Sequence, residues 1–255
     1  MSRPRPPLSL YLRSSAFWLV FFAGTLFFGV LIGALGWLLP ARWSYALARA
    51  WCCLNLYSLR LFCGLDWRIE GRAAIPREPR VFFSKHQSTW ETLALVVFLP
   101  PQVHVIKREL LRIPFYGWGH GALRPIAIDR SAGREAVGQL VAQGRERLDS
   151  GWSVMIFPEG TRVVPGETAR YRMGGAVLAA ESGVPVIPIA HNAGEFWPRH
   201  SFVKWPGTVT VVIGEEIQTA GKTPEAINAE ARAWLEAMMA RIEGAGPCAP
   251  QAPAD

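Results

Sequence analysis

A long uncharged segment near the N-terminus constrains this chain more than any other feature. From Ala16 to Leu39, 24 consecutive residues carry no charge and most are apolar, whereas a helix needs about 20 such residues to cross the roughly 30 Å hydrocarbon layer of a bilayer. Residues 1–65 contain six Arg and no Asp or Glu, a bias that suits anionic lipid head groups. We therefore expect a membrane-embedded N-terminal region.

A cleaved signal peptide is the alternative interpretation of this segment, because Arg residues precede it and Ala48-Arg49-Ala50 has the form of a cleavage site. The apolar part of a signal peptide is usually about 7–15 residues long, however, and Arg42 separates this longer run from that tripeptide. We expect the segment to remain in the mature protein.

A second apolar segment, Trp43 to Leu61, follows Pro40 and contains two Arg residues, which make deep membrane insertion costly. Basic residues flank both ends of the first segment, so the positive-inside rule gives no orientation for a single crossing. Both a single span and a helical hairpin that enters and returns on one side remain open, and we favour the hairpin. Gly29 and Gly33 would allow close helix packing in lipid.

Beyond this region, short β-branched runs alternate with segments of helical periodicity, which is typical of an α/β fold. We expect a mixed sheet flanked by helices over residues 63–243, an N-terminal membrane region over 1–62 and a disordered tail over 244–255. Thr223 and Pro224 are expected to begin a last helix as N-cap and first helical residue. The predicted strands are Val81–Phe83, Val103–Ile106, Arg124–Ile128, Ser153–Phe157, Val186–Ile189 and Thr208–Ile213.

Several common catalytic motifs are absent from the sequence: the phosphate loop, the dinucleotide fingerprint, the Gly-x-Ser-x-Gly elbow and the His-Glu-x-x-His helix. Half of the residues are hydrophobic and only 18% are charged, which excludes a disordered or coiled-coil protein. Four of the five His residues have no metal-like spacing, and we interpret each as structural or exposed: His104, His120, His191 and His200.

His86 and Glu91 lie between a predicted strand and the helix that follows it, where α/β sheets place their ligand sites. One interpretation is structural, because Ser88-x-x-Glu91 is a capping box whose side chains satisfy backbone donors at the helix start. The other is catalytic: the carboxylate accepts the imidazole N–H and supports a His base. The spacing alone does not choose between them.

A second motif, Phe157-Pro158-Glu159-Gly160-Thr161-Arg162, follows a predicted apolar strand. It combines a carboxylate, a glycine, a hydroxyl and a guanidinium, the groups needed to hold a polyol phosphate. A surface turn with an incidental Arg is the structural alternative.

Residues 81–191 resemble the glycerophospholipid acyltransferases, specifically the 1-acylglycerol-3-phosphate acyltransferases. The family's His-x4-Asp block corresponds to His86 through Glu91, with Glu in place of Asp, and its third block to residues 157–162. Its second block corresponds to Ile128-Asp129-Arg130, and its fourth, a Pro-bounded apolar strand, to residues 184–189. Four blocks in order over about 110 residues make the resemblance specific.

The resemblance implies acyl transfer from an acyl thioester, acyl-ACP or acyl-CoA, to the sn-2 hydroxyl of 1-acyl-glycerol-3-phosphate, giving phosphatidic acid. His86 would be the general base and Glu91 its orienting acid. Substrate binding would fall to six residues, with no metal or cofactor: Lys107, Arg130, Glu159, Gly160, Thr161 and Arg162.

The implied partners are membrane lipids and the thioester donor, at a bacterial inner membrane with the active site on the cytoplasmic face. Nucleic acid is not expected, because the positive excess lies beside the apolar segment. The alternatives are an acyltransferase for another acceptor (a lysophospholipid, glycerol 3-phosphate or an acyl-amino acid lipid) and an inactive lipid-phosphate binding module.

Overall fold

The computed structural model describes residues 5–71, 75–129 and 131–249. Seven strands form one sheet with the order β1-β7-β6-β2-β5-β3-β4. The five strands from β6 to β4 are mutually parallel, β7 is antiparallel to β6, and β1 is parallel to β7. The predicted α/β fold with a mixed sheet is confirmed. The strands are β1 Leu65–Glu70, β2 Val81–Ser84, β3 Gln102–Lys107, β4 Ile126–Ile128, β5 Ser153–Ile156, β6 Val186–His191 and β7 Gly207–Ile213.

Helices cover both faces of the sheet, because successive strand residues point to opposite sides. Val81 and Phe83 face a core formed with α5, α6 and α7, whereas Phe82 faces a core formed with α1, α2 and α3. The α-helices are α1 Leu8–Leu35, α2 Ala41–Ser58, α3 Trp90–Phe98, α4 Tyr116–Ala122, α5 Arg134–Asp149, α6 Gly174–Ser182 and α7 Pro224–Ile242.

All six predicted strands are present, with ends shifted by up to two residues. Strand β1 was not predicted, because it is an edge strand whose partner in the sheet lies more than 130 residues along the chain. Helix α7 begins as predicted: the Thr223 Oγ1 accepts the Ala226 N–H at 3.2 Å, and Pro224 is the first helical residue.

Helices α1 and α2 form a hairpin, since Gly24 of α1 packs on Trp51 and Leu54 of α2 while Ser44 bonds to Gly36 near the turn. Of the described helices, α1 is long and apolar enough to cross a membrane, since it has 28 residues and its most apolar 18-residue stretch has a mean hydropathy of 2.2. Its outward face carries large exposed apolar side chains: Leu8, Leu12, Leu19, Phe22, Leu26, Phe27, Val30 and Leu35.

The Gly29 and Gly33 pair has a different partner from the one that the sequence predicts. A Cβ on Gly29 would lie 2.9 Å from the Phe115 carbonyl oxygen, and one on Gly33 would lie 3.1 Å from the Trp118 Cβ. The two glycines therefore allow α1 to approach the α4 segment of the α/β domain rather than another membrane helix.

The opposite end of α1 is held by the loop that precedes β7. The Lys204 ammonium lies 3.7 Å from the ring centroid of Trp18 and 4.5 Å from that of Trp197, and it donates to the Phe202 carbonyl at 2.7 Å. The Ser14 Oγ accepts the Lys204 N–H at 3.0 Å. Contacts at both ends join α1 to the α/β domain along its length.

The start of the tail that the sequence predicts to be disordered, residues 244–249, makes hydrogen bonds to the α/β domain. The buried Glu195 carboxylate accepts the N–H of Gly244 at 2.6 Å and that of Gly246 at 2.8 Å, and the Glu195 carbonyl accepts the Cys248 N–H at 3.0 Å. A buried carboxylate needs such donors, and local composition does not reveal that need. Residues 250–255 lie outside the described residues.

Candidate active site

Three of the sequence motifs and Lys107 meet at one edge of the sheet. Strands β2, β5, β3 and β4 are parallel, so their carboxyl ends lie on the same side. His86 follows β2, residues 157–162 follow β5, Lys107 ends β3, and residue 129 follows β4. This edge is where open α/β sheets bind their ligands. Arg130, which the resemblance places in the same site, lies outside the described residues.

The His86 imidazole and the Glu91 carboxylate are in direct contact, with 2.8 Å between Nδ1 and Oε1. Glu91 also accepts the N–H groups of Gln87 and Ser88, each at 3.0 Å. One carboxylate therefore both caps α3 and bonds to the imidazole, a geometry that is compatible with the structural and with the catalytic interpretation of this pair. The glutamate side chain is long enough to reach the backbone N–H groups before the helix and the imidazole at the same time.

The ionisation of Glu91 suits an orienting role. Its side chain is fully buried, whereas 16% of the His86 side chain is exposed. Burial acts to raise the pKa of Glu91, but the imidazoles of His191 and His86 and the Ser88 N–H outweigh it and hold the pKa below its ordinary value. The carboxylate is thus charged near neutral pH and accepts from the His86 Nδ1–H, which leaves Nε2 as the basic atom.

The His86 ring is fixed on its other side by Phe157, the first residue of the second motif. The two rings stack with centroids 4.2 Å apart and planes inclined by 21°. The His86 carbonyl also accepts the Val163 N–H at 2.7 Å. The loop after β5 therefore positions the imidazole, which neither motif indicates by itself.

Glu159 lies beneath the site rather than in its open part. Its buried side chain pairs with Lys85, with 3.0 Å between Nζ and Oε1. Burial raises the pKa of Glu159, while the Lys85 ammonium acts in the opposite direction. Lys85 is the residue before His86, so this ion pair ties the loop after β2 to the loop after β5. Sequence analysis missed Lys85, since a single Lys after a strand carries no recognisable pattern.

Gly160 allows the Arg172 side chain to approach the backbone closely. Its φ is +69°, and a Cβ there would lie 2.5 Å from the Arg172 Nε, so only glycine fits both conditions. Thr161 is exposed and Arg162 is partly buried. The Arg162 carbonyl accepts from Arg199 at 3.3 Å, which brings a second guanidinium from the loop before β7 to the same place.

A cavity of about 1370 Å³ runs from these loops to the hairpin. Five Arg and Lys residues line its polar end: Lys107, Arg162, Arg170, Arg172 and Arg199. Apolar residues of α1, α2 and α3 line the other end, among them Phe21, Phe28, Ile32, Ala48, Leu93 and Val96. Five predicted site residues border the cavity besides Lys107: His86, Glu159, Gly160, Thr161 and Arg162. Glu91 stands behind His86.

Within the described ranges, no three His, Cys, Asp or Glu side chains are grouped to hold a metal ion.

The chain is similar to known proteins in sequence and in structure. The Acyltransferase family model matches residues 66–192. The chain is 43% identical to a 1-acyl-sn-glycerol-3-phosphate acyltransferase of Pseudomonas aeruginosa over 91% of each chain. It belongs to the acyltransferase family.

More distant relatives of the acyltransferase agree with this assignment. It is 30% identical to human 1-acyl-sn-glycerol-3-phosphate acyltransferase beta over 65% of this chain and 61% of that one. The crystal structure of PlsC from Thermotoga maritima, a 1-acyl-sn-glycerophosphate (LPA) acyltransferase, superimposes with a TM-score of 0.75 and 20% identity. The match covers 91% of this chain and 95% of that chain, so most of the fold is shared.

Two further histidines border the cavity of the acyltransferase in positions that the sequence does not reveal. His104 on β3 and His120 on α4 both line the cavity, although the sequence suggests only structural or exposed roles. Their separation along the chain conceals their proximity in the fold.

Proposed function

We propose that this acyltransferase transfers an acyl chain from acyl-ACP or acyl-CoA to the sn-2 hydroxyl of 1-acyl-glycerol-3-phosphate and forms phosphatidic acid. The observation that carries the proposal is the position of the His86 and Glu91 pair between a basic and an apolar part of one cavity. A lysophosphatidic acid has the same division, an anionic phosphate and an acyl chain on either side of the reacting glycerol. The names of the relatives support this acceptor.

The reaction begins with proton transfer to His86. The Nε2 atom accepts the proton of the acceptor hydroxyl, and the buried Glu91 carboxylate, 2.8 Å from Nδ1, stabilises the imidazolium that forms. The alkoxide attacks the thioester carbonyl carbon, and the tetrahedral oxyanion collapses with cleavage of the C–S bond. The thiolate leaves with the proton returned by the imidazolium. No covalent acyl-enzyme is needed.

Arg162 is the proposed ligand of the acceptor phosphate, because its guanidinium can make a forked contact with phosphate oxygens. Arg130 is assigned to the same phosphate by family resemblance, and Lys107 is a further candidate, for the acceptor phosphate or for an acidic donor. Gly160 and Thr161 would shape the glycerol side of the cavity. Glu159 contributes by pairing with Lys85, so its role in substrate binding is indirect.

The hairpin of α1 and α2 is proposed to lie in one leaflet, on the cytoplasmic face of a bacterial inner membrane. Contacts from Ser14 to Gly33 hold α1 against the α/β domain, so a crossing helix would have to give up that packing. The exposed apolar face of α1 would then contact lipid, and the acceptor would enter from the bilayer while the thioester donor arrives from the cytoplasm.

The deciding assay measures phosphatidic acid formed from lysophosphatidic acid and an acyl thioester by the native chain and by His86→Ala, both in membrane preparations. We expect product from the native chain and a loss of at least about 100-fold in the variant. Thermal unfolding of the purified proteins controls for folding. If the native chain forms no product yet binds the lipid as tightly as His86→Ala does, the enzyme uses another acceptor or is a binding module.

Arg162→Ala tests the acceptor site. We expect the KM for lysophosphatidic acid to rise at least about tenfold, with a smaller change in the KM for the thioester, because a charge-assisted contact is lost on the acceptor side only. Arg241→Ala is the matched control, since Arg241 is exposed and pairs with Glu70 far from the cavity. A larger rise in the donor KM would remove Arg162 from the acceptor phosphate.

A further inference from the structure

Two histidines, His104 and His120, add polar groups to the wall of an otherwise largely apolar part of the cavity. His104 lies on β3 beside Met155 of β5, which in turn pairs with Phe82 of β2. Met155 and Phe82 belong to the core that α1, α2 and α3 cover. Because residues paired across a sheet point to the same face, the His104 ring faces the hairpin side, where the acyl chain would lie.

His104 is close to the proposed catalytic histidine. The Phe157 ring lies between them, with its centroid 4.2 Å from that of His86 and 6.1 Å from that of His104. The imidazoles of His86 and His104 are therefore no more than about 10 Å apart. A group held by His104 would be near the reacting end of a bound chain rather than near its methyl end.

Both additional histidines are neutral at physiological pH. Burial lowers the pKa of His104 to about 3 and that of His120 to about 4, and the field of the neighbouring His120 adds to the effect on His104. A neutral imidazole carries one N–H donor and one acceptor nitrogen. These rings consequently favour a neutral hydrogen-bonding group over a phosphate or carboxylate.

The nitrogens of the two rings make no hydrogen bond among the described residues. The His104 Nε2 is buried with no hydrogen-bond partner there. The His120 ring stacks on Tyr116 with centroids 5.3 Å apart, and no hydrogen bond to its nitrogens occurs within the same residues. A buried polar group without a partner is unfavourable, so the His104 ring differs from that of an ordinary structural histidine.

Two threonine hydroxyls of the cavity wall, in contrast, donate to backbone carbonyls. The hydroxyl of Thr25 donates to Phe21 O at 2.7 Å, and that of Thr92 donates to Thr89 O at 2.7 Å. His191, which is also buried, bonds to Lys85 O at 2.8 Å. The unpartnered Nε2 of His104 differs in this respect from these hydroxyls and from the His191 ring.

We infer that His104 and His120 form a polar subsite that binds a hydroxyl group carried on an acyl chain close to its carbonyl end. A hydroxyl both donates and accepts, as a neutral imidazole does, so one such group can satisfy both rings. The chain could belong to the thioester donor or to the lysophosphatidic acid. This subsite rests on the proposed function for its setting and adds a substrate class to it.

The test compares matched chains that differ by one hydroxyl. Binding of 3-hydroxymyristic acid and of myristic acid to the purified protein in detergent is measured first, because it needs no turnover. Transfer is then measured with the corresponding pair of acyl thioesters, and with lysophosphatidic acids that carry the same pair of chains. The readout is the ratio of hydroxylated to plain chain within each protein.

We expect the native ratio to be roughly five- to tenfold, the value of about one hydrogen bond. His104→Phe and His120→Phe should bring it near 1, whereas His104→Gln, which keeps a donor and an acceptor, should retain most of the preference. The ratio is internal to each protein, so a partly damaged variant still gives an answer. Whether the thioester pair or the lysophosphatidic acid pair shows the preference identifies which chain occupies the subsite.

A native ratio near 1 in the binding and transfer measurements overturns the inference, and so does a preference that both Phe variants retain. Failure of the proposed function has a different signature. In that case no lysophosphatidic acid is acylated by the native chain, while the binding preference for the hydroxylated acid persists and is lost in His104→Phe.

Discussion

Replacing Glu91 by Gln is the sharpest test of how this site uses its carboxylate. Three donors converge on Glu91: the His86 Nδ1 at 2.8 Å and the N–H groups of Gln87 and Ser88 at 3.0 Å. An amide keeps one acceptor oxygen and gains an NH₂ group that cannot accept, so at least one of these donors loses its partner. The imidazolium formed in the transition state also loses its buried counter-charge.

The loss follows from the hydrogen bond between a charged pair, which contributes about 1.5–3 kcal/mol. Since about 1.4 kcal/mol corresponds to a tenfold change in rate, kcat should fall by roughly 10- to 150-fold in Glu91→Gln. Glu91→Asp keeps the charge and loses one methylene, so we expect its kcat to stay within about tenfold of the native value. Glu181→Gln on α6 is the matched control, because that carboxylate is half-exposed and its ion pair with Arg145 is long, at 3.9 Å.

The assay is kcat at saturating lysophosphatidic acid and thioester, with thermal unfolding recorded for each variant. Stability provides a second readout with a defined sign. Because the folded-state pKa of Glu91 lies below its ordinary 4.5, its charge stabilises the fold above that pH, and this contribution is lost as the pH falls through the folded-state pKa. The gap in unfolding free energy between the native chain and Glu91→Gln should therefore narrow in acid. Equal losses of kcat in the Asp and Gln variants, with both folded, would refute the orienting role.

Three further predictions concern packing and buried charge. Gly29→Ala should destabilise the protein by about 1–3 kcal/mol, because its Cβ would lie 2.9 Å from a backbone oxygen. The control Gly138→Ala, whose Cβ meets nothing within 4 Å, should be neutral or stabilise the protein by up to about 1 kcal/mol. Equal melting temperatures of the two variants would contradict the close contact of α1 and α4. Lys85→Met should lower the free energy of unfolding by about 3–5 kcal/mol, because it leaves Glu159 buried and unpaired. Adding Glu159→Gln should recover much of that loss, measured by urea unfolding. If the losses of the two single variants simply add in the double variant, the two side chains do not act as a pair. Burial lowers the pKa of Lys204 to about 7, so the unfolded chain binds more protons than the folded chain between about pH 7 and pH 10. The free energy of unfolding should therefore rise with pH in this range, by at most about 1.4 kcal/mol per pH unit. Lys204→Met should flatten this slope, and an unchanged slope would exclude Lys204 as its source.

Local patterns in the sequence determine the elements of this protein. Most of the uncharged run falls in α1, because its residues are mainly apolar and a helix satisfies the backbone hydrogen bonds within the segment. The β-branched runs become strands, in which alternate residues face the two cores. The same holds for the Thr223 cap. The spacing of His86 and Glu91 brings them together because the intervening residues are a short loop and a helix start, which leave little choice of geometry.

Only the tertiary structure decided which of these elements touch. Gly29 and Gly33 permit a close helix contact, but the partner, α4, lies more than 80 residues along the chain. The ion pair of Lys85 and Glu159 joins two loops, as does the stacking of His86 on Phe157. Pairings of this kind depend on strand order, which single-residue patterns do not encode.

The histidines mark the boundary between the two kinds of information. The position of His86 in a motif is readable from the sequence, because the residues it needs are its neighbours along the chain. The significance of His104 depends on facing a cavity that α1, α2 and β3 enclose together, and on the absence of a hydrogen-bond partner within the described part of the chain. Burial and hydrogen bonding are properties of the folded surroundings, so the fold alone could distinguish this histidine from a structural one.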